Sequence, residues 1–351
     1  MLSFLSILAV KAQDKEAFLS KLEELGETDS TAKAQLLYNK GVAEMNSNRF
    51  DTAIEMFNQA LVYNPNFGEV YLNRGVSYIE KGKKEKGMTD LVEAILLNPK
   101  LDKAYFTMAK QFEKEKNNVK ALENYSKAIE LNKQEPLYFY KRGTLYFQNG
   151  DYAKAKADYK KAVALKPSYA YAWNDLGSAY LQLDQIKMAI SSYEKAVKAN
   201  PKLALAYNNL GSAYRKLQDY GKAIDAYTKA IQLKKDYALA YNNRGMAKVN
   251  QGEDYLDAVV DFNKAIVLQD DYTFAYNNRA AAYIKLEEWD KALRDANKAI
   301  ALKKDYAYAY YNRAIAKEMK RDIEGACEDW HKASQLGLEA GETYYLSTCK
   351  Q

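Results

Sequence analysis

The sequence predicts an all-α fold: an α-solenoid of nine helix–turn–helix units closed by a C-terminal capping helix. Three observations carry that expectation. Gly41, Gly75, Gly143, Gly177, Gly211 and Gly245 recur at multiples of 34 residues, the kind of period that marks stacked supersecondary units. Alanine holds one register place in all nine repeats, at Ala60, Ala94, Ala128, Ala162, Ala196, Ala230, Ala265, Ala299 and Ala333. The 351 residues contain only 5 prolines, and none falls where a helix interior is predicted.

Taken in chain order, the first element is Met1–Val10, an uncharged apolar run. It is shorter than the about 20 residues a membrane span needs, so no transmembrane segment is expected. Val10 and Ala12 stand at −3 and −1 of a cut before Gln13, as in a secretory leader, although the basic start of such leaders is missing. Residues 1–12 are therefore expected to be a signal peptide that directs export to a bacterial periplasm or cell envelope. The alternative is a short apolar helix on a cytoplasmic protein. Residues 13–33 are expected to form a short amphipathic helix, with Phe18, Leu22 and Leu25 on one side, followed by a linker.

The repeats follow as 34–67, 68–101, 102–135, 136–169, 170–203, 204–237, 238–272, 273–306 and 307–338. Positions are counted from the start of each unit. Positions 4, 7, 8 and 11 make one helical stripe and 20, 24 and 27 another. Position 8 is always Gly or Ala, and position 20 is Ala in every unit except for Gly87. Position 24 is large in every unit but the eighth, as in Phe57, Tyr193 and Trp330. Small residues let two helices approach, and large ones at 4, 11 and 24 fill the space beside them. Pro65, Pro99, Pro167 and Pro201 at position 32 end the second helix. Such a hairpin cannot bury its own apolar face, so neighbours must stack. One extra residue within 252–257 predicts a longer turn between the helices of the seventh unit.

The stretch Ala-Trp-Asn-Asp-Leu-Gly-Ser-Ala-Tyr at 172–180, with Ala189, Tyr193, Ala196 and Pro201, resembles the tetratricopeptide repeat (TPR) family. The resemblance covers about 34–338. It implies a right-handed superhelix of antiparallel helix pairs whose first helices line a concave groove. It also implies a scaffold that binds a protein or peptide.

Position 7 departs from the family's leucine. It is Arg74, Arg142, Arg244, Arg279 and Arg313 in five units, and in those same units position 23 is Asp90, Asp158, Asp261, Asp295 and Asp329. The other four units have Met56, Asn124, Ser192 and Ala226 there. A guanidinium facing a carboxylate forms a bidentate pair, whereas either group buried alone is costly. The expectation is an Arg–Asp bridge between the two helices of each such unit; the alternative is duplication that copied both residues without contact.

The groove side is expected to carry asparagines. Position 6 is Asn39, Asn73, Asn209, Asn243, Asn278 and Asn312, and position 5 adds Asn174, Asn208, Asn242 and Asn277. A carboxamide both donates and accepts, so a row of them matches the backbone of an extended peptide. The row is similar to the asparagine ladder in the repeat superhelix of O-GlcNAc transferases. The alternative is that these are ordinary family residues with no ligand. The lysine and asparagine of the chaperone-tail carboxylate clamp are absent from positions 5 and 9.

Gly337 ends the repeats, and 339–351 are expected to form the capping helix. Cys327 and Cys349 lie at matching distances from Gly337, so they either form a disulfide that staples the cap or remain two thiols.

The remaining composition narrows function. One His and two Cys leave no histidine cluster or four-cysteine zinc site. No phosphate loop, nucleophile elbow or metal-ligand motif is present, so neither enzyme activity nor a cofactor or metal is expected. The net charge of +6 is mild, and acids alternate with bases. The lysines at position 26, among them Lys195, read as a solvated face, so no nucleic-acid partner is expected. The readings left beside the peptide scaffold are a cytoplasmic adaptor or assembly factor, and a weak basic-surface binder of nucleic acid or glycan.

Overall fold

The computed structural model describes Ala17, Ser20, Lys21, 29–252 and 254–350. The expected leader 1–12 and nearly all of the expected helix within 13–33 lie outside these residues. The chain divides into two compact bodies, Met1–Asp151 and Tyr152–Gln351.

The first body contains α1 (Ser30–Asn46), α2 (Phe50–Tyr63), α3 (Gly68–Glu80), α4 (Lys84–Leu97), α5 (Asp102–Lys114), α6 (Asn118–Leu131) and α7 (Pro136–Gln148). The second contains α8 (Tyr152–Leu165), α9 (Ala170–Gln182), α10 (Ile186–Ala199), α11 (Ala204–Lys216), α12 (Tyr220–Leu233) and α13 (Ala238–Gln251). It continues through α14 (Tyr255–Leu268), α15 (Thr273–Lys285), α16 (Trp289–Leu302), α17 (Ala307–Met319), α18 (Ile323–Gln335) and α19 (Glu339–Tyr344). Odd-numbered helices from α1 to α17 are the first helices of their units and even-numbered ones the second. Within each body every helix packs on its sequence neighbours, which is the contact pattern of a solenoid. Among the described residues there is no strand, and no helix is long and apolar enough to cross a membrane.

The core repeats with the sequence. Phe57, Tyr125, Tyr159, Tyr193, Tyr227, Phe262 and Trp330 at position 24 are fully buried, each among alanines of positions 20 and 27. Removing one such ring from water contributes roughly 2 kcal/mol. At Gly177 the approach requires glycine, since a Cβ there would stand 2.7 Å from the Tyr193 ring, whereas Ala109 and Ala314 fit against Tyr125 and Trp330. Leu37 and Phe139 at position 4 are buried as expected, but most residues there behave differently. Tyr71, Trp173, Tyr207, Tyr241, Tyr276 and Tyr310 are only half-buried, because they stand at the unit boundary beside position 7 rather than inside the helix pair.

Two turn types alternate. After a second helix the chain extends, and Asn64, Asn98, Asn132 and Asn200 each accept the backbone N–H two residues on, at 3.0–3.1 Å. Between first and second helix three residues suffice, with a left-handed residue in the middle, such as Gly82 (φ 75°) or Gln218 (φ 62°). The seventh unit differs from its expected longer turn. Its extra residue lengthens α13 to 14 residues, against 13 in α11 and α15. Gly252 then caps that helix directly at φ 87°, a conformation glycine adopts without Cβ strain.

Both ends also depart from expectation. The linker expected up to residue 33 gives way to helix at Ser30, because Asp29 accepts the N–H of Ala32 at 2.9 Å and caps α1. The single capping helix expected over 339–351 is two pieces: α19, then one π-helical turn, Tyr345–Cys349. Cys327 on α18 and Cys349 on that turn form a disulfide with Cα atoms 5.8 Å apart. Tyr344 stacks on the buried Trp330 at 5.3 Å beside it, so the cap covers the last ring of the core.

Candidate functional site

Three side-chain systems repeat along the units. The first joins position 7 to position 23. Arg74 donates to both oxygens of Asp90 at 2.8 Å each. Arg244 meets Asp261 at 2.9 and 2.6 Å, Arg279 meets Asp295 at 2.7 Å twice, and Arg313 meets Asp329 at 2.7 and 2.6 Å. These are parallel fork-to-carboxylate pairs, and the aspartates are nearly excluded from water. Burial acts to lower the Arg279 pKa, but the hydrogen bonds and charge of Asp295 outweigh it and raise it above the usual value. Arg142 and Asp158 belong to different bodies.

Sequence reasoning missed the third partner of this system. Nη1 of each arginine reaches the second helix of the preceding unit: Arg74 to Asn58 at 2.7 Å, Arg142 to Ser126 at 3.0 Å, and Arg244 to Thr228 at 3.0 Å. Arg279 reaches Asn263 at 2.5 Å and Arg313 reaches Asn297 at 2.7 Å. All five partners hold position 25. Units followed by one without the arginine carry Val92, Lys160 or Glu194 there, so the signal was present but offset by one repeat. The position 4 ring lies against the guanidinium in four cases, with Tyr71, Tyr241, Tyr276 and Tyr310 at 5.2–5.7 Å. Arg74, Arg244, Arg279 and Arg313 therefore each tie two consecutive second helices through one first helix.

The second system is the asparagine row. In the second body, Asn209 donates to Asn174 at 3.0 Å, Asn243 to Asn208 at 3.1 Å, Asn278 to Asn242 at 2.9 Å and Asn312 to Asn277 at 2.9 Å. Asn174, Asn208, Asn242 and Asn277 are buried, with exposures of 2–5%, so these four join unit to unit. Position 6 is half-buried at Asn209, Asn243 and Asn278, and Asn312 is buried. Each half-buried carboxamide has one N–H committed to the preceding unit. In the first body the row is broken. Asn39 is exposed and accepts from Gln35 at 2.9 Å, while Asn73 donates to the Tyr38 hydroxyl at 3.1 Å.

The third system is apolar and was not foreseen. Position 2 lies one turn before position 6 on the same face. In the second body it is Tyr171, Leu205, Leu239, Phe274 and Tyr308, exposed by 41–54%. Their counterparts in the first body are Gln35, Glu69, Lys103 and Leu137. Around the last two, Phe274 meets Tyr306 edge-on at 5.3 Å, and Tyr306 meets Tyr308 at 6.0 Å. Five exposed large side chains in one line are unusual for a surface without a partner. Among the described residues no group of His, Cys, Asp and Glu has the arrangement of a metal site. His331 pairs with Gln335 at 2.9 Å and lies on the Tyr345 ring.

Comparison with known proteins agrees with this architecture. The tetratricopeptide repeat matches at residues 34–67, 68–101, 140–204 and 204–237, and the TPR repeat at 110–150. No curated protein matches the chain. Among solved structures, a tetratricopeptide repeat protein from Parabacteroides merdae is 21% identical, covering 70% of this chain and 98% of its own, with a TM-score of 0.58. A chain of an APC/C hetero-tetramer is 16% identical, covering 97% and 82%, with a TM-score of 0.55. Pseudomonas aeruginosa pilF is 20% identical, covering 60% and 95%, with a TM-score of 0.53. At these identities the likeness is one of fold. Stacked helical repeats of this kind form extended surfaces for protein–protein interaction. With its repeats matched over more than half its length and its helices paired in register, the chain belongs to the tetratricopeptide repeat family.

Proposed function

We propose that the protein is a non-enzymatic scaffold that binds an extended peptide or protein segment along the first-helix face of its second body, from α9 to α17. One observation carries the reading: the exposed apolar row at position 2 runs beside the half-buried carboxamides of Asn209, Asn243 and Asn278. An extended segment alternates its side chains and offers a donor and an acceptor at every residue. The apolar row takes alternate side chains, and the second N–H and the remaining acceptor capacity of each carboxamide take the backbone. Asn174, Asn208, Asn242, Asn277 and Asn312 hold that row in register, and Asn39 and Asn73 lie outside it.

The test is a crosslinking pull-down with the full chain. Wild type is compared with Asn209→Ala/Asn243→Ala/Asn278→Ala and with Leu239→Ser/Phe274→Ser. Loss of the same partners from both variants supports the reading; an unchanged partner set overturns it.

We further propose export to an oxidising compartment. The apolar run Met1–Val10 and the Cys327–Cys349 disulfide support it, since such bonds persist mainly outside the reducing cytosol. Mass spectrometry of the native protein decides: a mature chain that starts at Gln13 supports export, and one that retains Leu2–Val10 argues for the cytoplasmic alternative.

A further inference from the structure

The arginine system is missing from two consecutive units of the second body, and a cleft opens at each. The fifth unit has Leu176 at position 7 and Ser192 at position 23, and Lys160 stands at position 25 of the unit before. All three replaced positions line a cleft of about 330 Å³ between α8, α9 and α10. In the seventh, eighth and ninth units the guanidinium occupies this notch between consecutive second helices. Here Leu176, Ser192 and Lys160 stand in the places of the three clamp residues.

The chemistry of the cleft follows from the substitutions. Its floor is apolar: Leu176 and Val163 are buried, the Trp173 ring forms one wall, and Met188, 51% exposed, forms the lip. The Trp173 N–H is already bonded to the Pro167 carbonyl at 2.9 Å, so the ring presents only its face and edge. Ser192 donates its hydroxyl to the Met188 carbonyl at 2.8 Å and makes no demand on an occupant. Two exposed ammonium groups stand at the rim. Lys195 lies over the Trp173 ring at 4.6 Å, and Lys160 faces it from α8. Among the described residues no carboxylate lines the cleft.

The corresponding cleft of the sixth unit has a different character. It measures about 270 Å³ and includes Asp225 beside Lys222 and Lys229. There Glu194 holds position 25 and accepts from the Tyr214 hydroxyl at 2.8 Å. Cation and carboxylate are already mixed at that site, whereas the Trp173 cleft combines an apolar floor with uncompensated positive charge.

We propose that the Trp173 cleft is a second binding site, one that seats a leucine or phenylalanine side chain from an acidic partner segment. The volume lies at the low end for small-molecule pockets and suits one or two side chains. Charge complementarity selects the flanking residues: carboxylates on either side of the anchor meet Lys160 and Lys195, which steer and orient it. The site lies on the second-helix side, away from the asparagine and position 2 rows, and stands independently of them.

The test uses the full chain and a fluorescein-labelled hexapeptide, Glu-Asp-Leu-Phe-Asp-Glu, read by anisotropy. Two controls replace the anchor (Glu-Asp-Ser-Gly-Asp-Glu) or the charges (Lys-Arg-Leu-Phe-Arg-Lys). The decisive variant is Leu176→Arg/Ser192→Asp/Lys160→Asn, which rebuilds the internal clamp that four other units of this fold contain intact within one body. It is expected to fold and to lose the peptide. A second variant, Lys160→Glu/Lys195→Glu, alters only exposed side chains and is expected to weaken binding by about fivefold or more. Tighter binding of the acidic apolar peptide than of either control, lost in the first variant and weakened in the second, supports the site. Equal binding of the three peptides, or binding unchanged in either variant, overturns it. Asn209→Ala/Asn243→Ala/Asn278→Ala leaves this binding unaltered, so its outcome is separate from that of the groove.

Discussion

Arg279 holds Asp295 through two parallel hydrogen bonds of 2.7 Å, and its remaining nitrogen reaches back to Asn263 in the preceding unit. The pair is a joint between units as much as a bridge within one. Asp295→Ala leaves the guanidinium largely buried without its carboxylate, and is expected to destabilise the protein by roughly 3 kcal/mol. Arg279→Leu with Asp295→Ser reproduces the Leu176 and Ser192 arrangement found naturally in the fifth unit. It is expected to recover most of that loss. Urea denaturation of the two variants checks this. A double variant no more stable than the single one would show that the ion pair itself, rather than the avoidance of an unpaired charge, supports the joint.

The asparagine row makes a similar but smaller prediction. Asn208 is 2% exposed and accepts from Asn243. Asn208→Ala leaves that donor unpaired at a cost of about 1–2 kcal/mol. Asn208→Asp keeps an acceptor but buries a charge, and is expected to be worse than alanine. Denaturation curves should rank wild type above Asn208→Ala and Asn208→Ala above Asn208→Asp. If the row served only a ligand, free-protein stability would not follow this order.

These two systems also show which parts of the molecule are legible in one sequence. Within a unit, residues that touch keep a fixed separation, so the pairing of position 7 with position 23 is visible as co-occurrence. The starts of α3 at Gly68 and α9 at Ala170 follow from apolar periodicity for the same reason. Contacts between units are harder, because the partner is displaced by one repeat. Asn263 and Thr228 are small polar residues with nothing unusual until the arginine of the next unit is placed over them. The burial of Asn174 and Asn208 was hidden likewise, since position 5 faces the neighbouring first helix rather than its own hairpin. The exposure of Tyr171 and Phe274 was masked by composition: among 31 tyrosines and 11 phenylalanines, most rings are packed, and only the register separates the rest. At Gly252 the inserted residue was visible, but helix and turn compete for it, and the glycine cap decides.

Alkaline pH tests the buried rings. Burial raises the Tyr193 phenol to about 12, a rise opposed by its bond with Ser178 and reinforced by Asp175. Burial, with Tyr308 and Tyr272 nearby, raises Tyr306 to about 12 as well. A phenol with a folded pKa above its unfolded value of 10.0 binds its proton more tightly in the folded state. Its contribution is complete below pH 10 and is lost as pH rises toward 12. Unfolding followed by circular dichroism is therefore expected to begin in that window. The part of the tyrosinate absorbance that belongs to Tyr193 and Tyr306 should rise only together with unfolding. Ionisation of Tyr193 and Tyr306 with the fold intact would show that these two rings reach solvent without unfolding.

The last prediction concerns the cap. Trp330 is fully buried, and its cover consists of Tyr344 and the turn that carries Cys349. The Cys327–Cys349 bond closes a loop with a sequence separation of 22, which corresponds to about 3 kcal/mol of constraint on the unfolded chain. A solenoid transmits contacts only between neighbours, so the loss should remain local at first. Reduction by dithiothreitol, or Cys327→Ser/Cys349→Ser, is expected to free α19 and its π-helical turn, admit water to Trp330 and leave α1–α6 unaffected. Hydrogen exchange resolved by segment measures this directly. Protection should fall in 323–350 and persist in 30–131. Uniform loss along the chain would mean that the cap governs folding of every unit, and unchanged protection at 323–350 would mean that Trp330 and Tyr344 hold the cap without the bond.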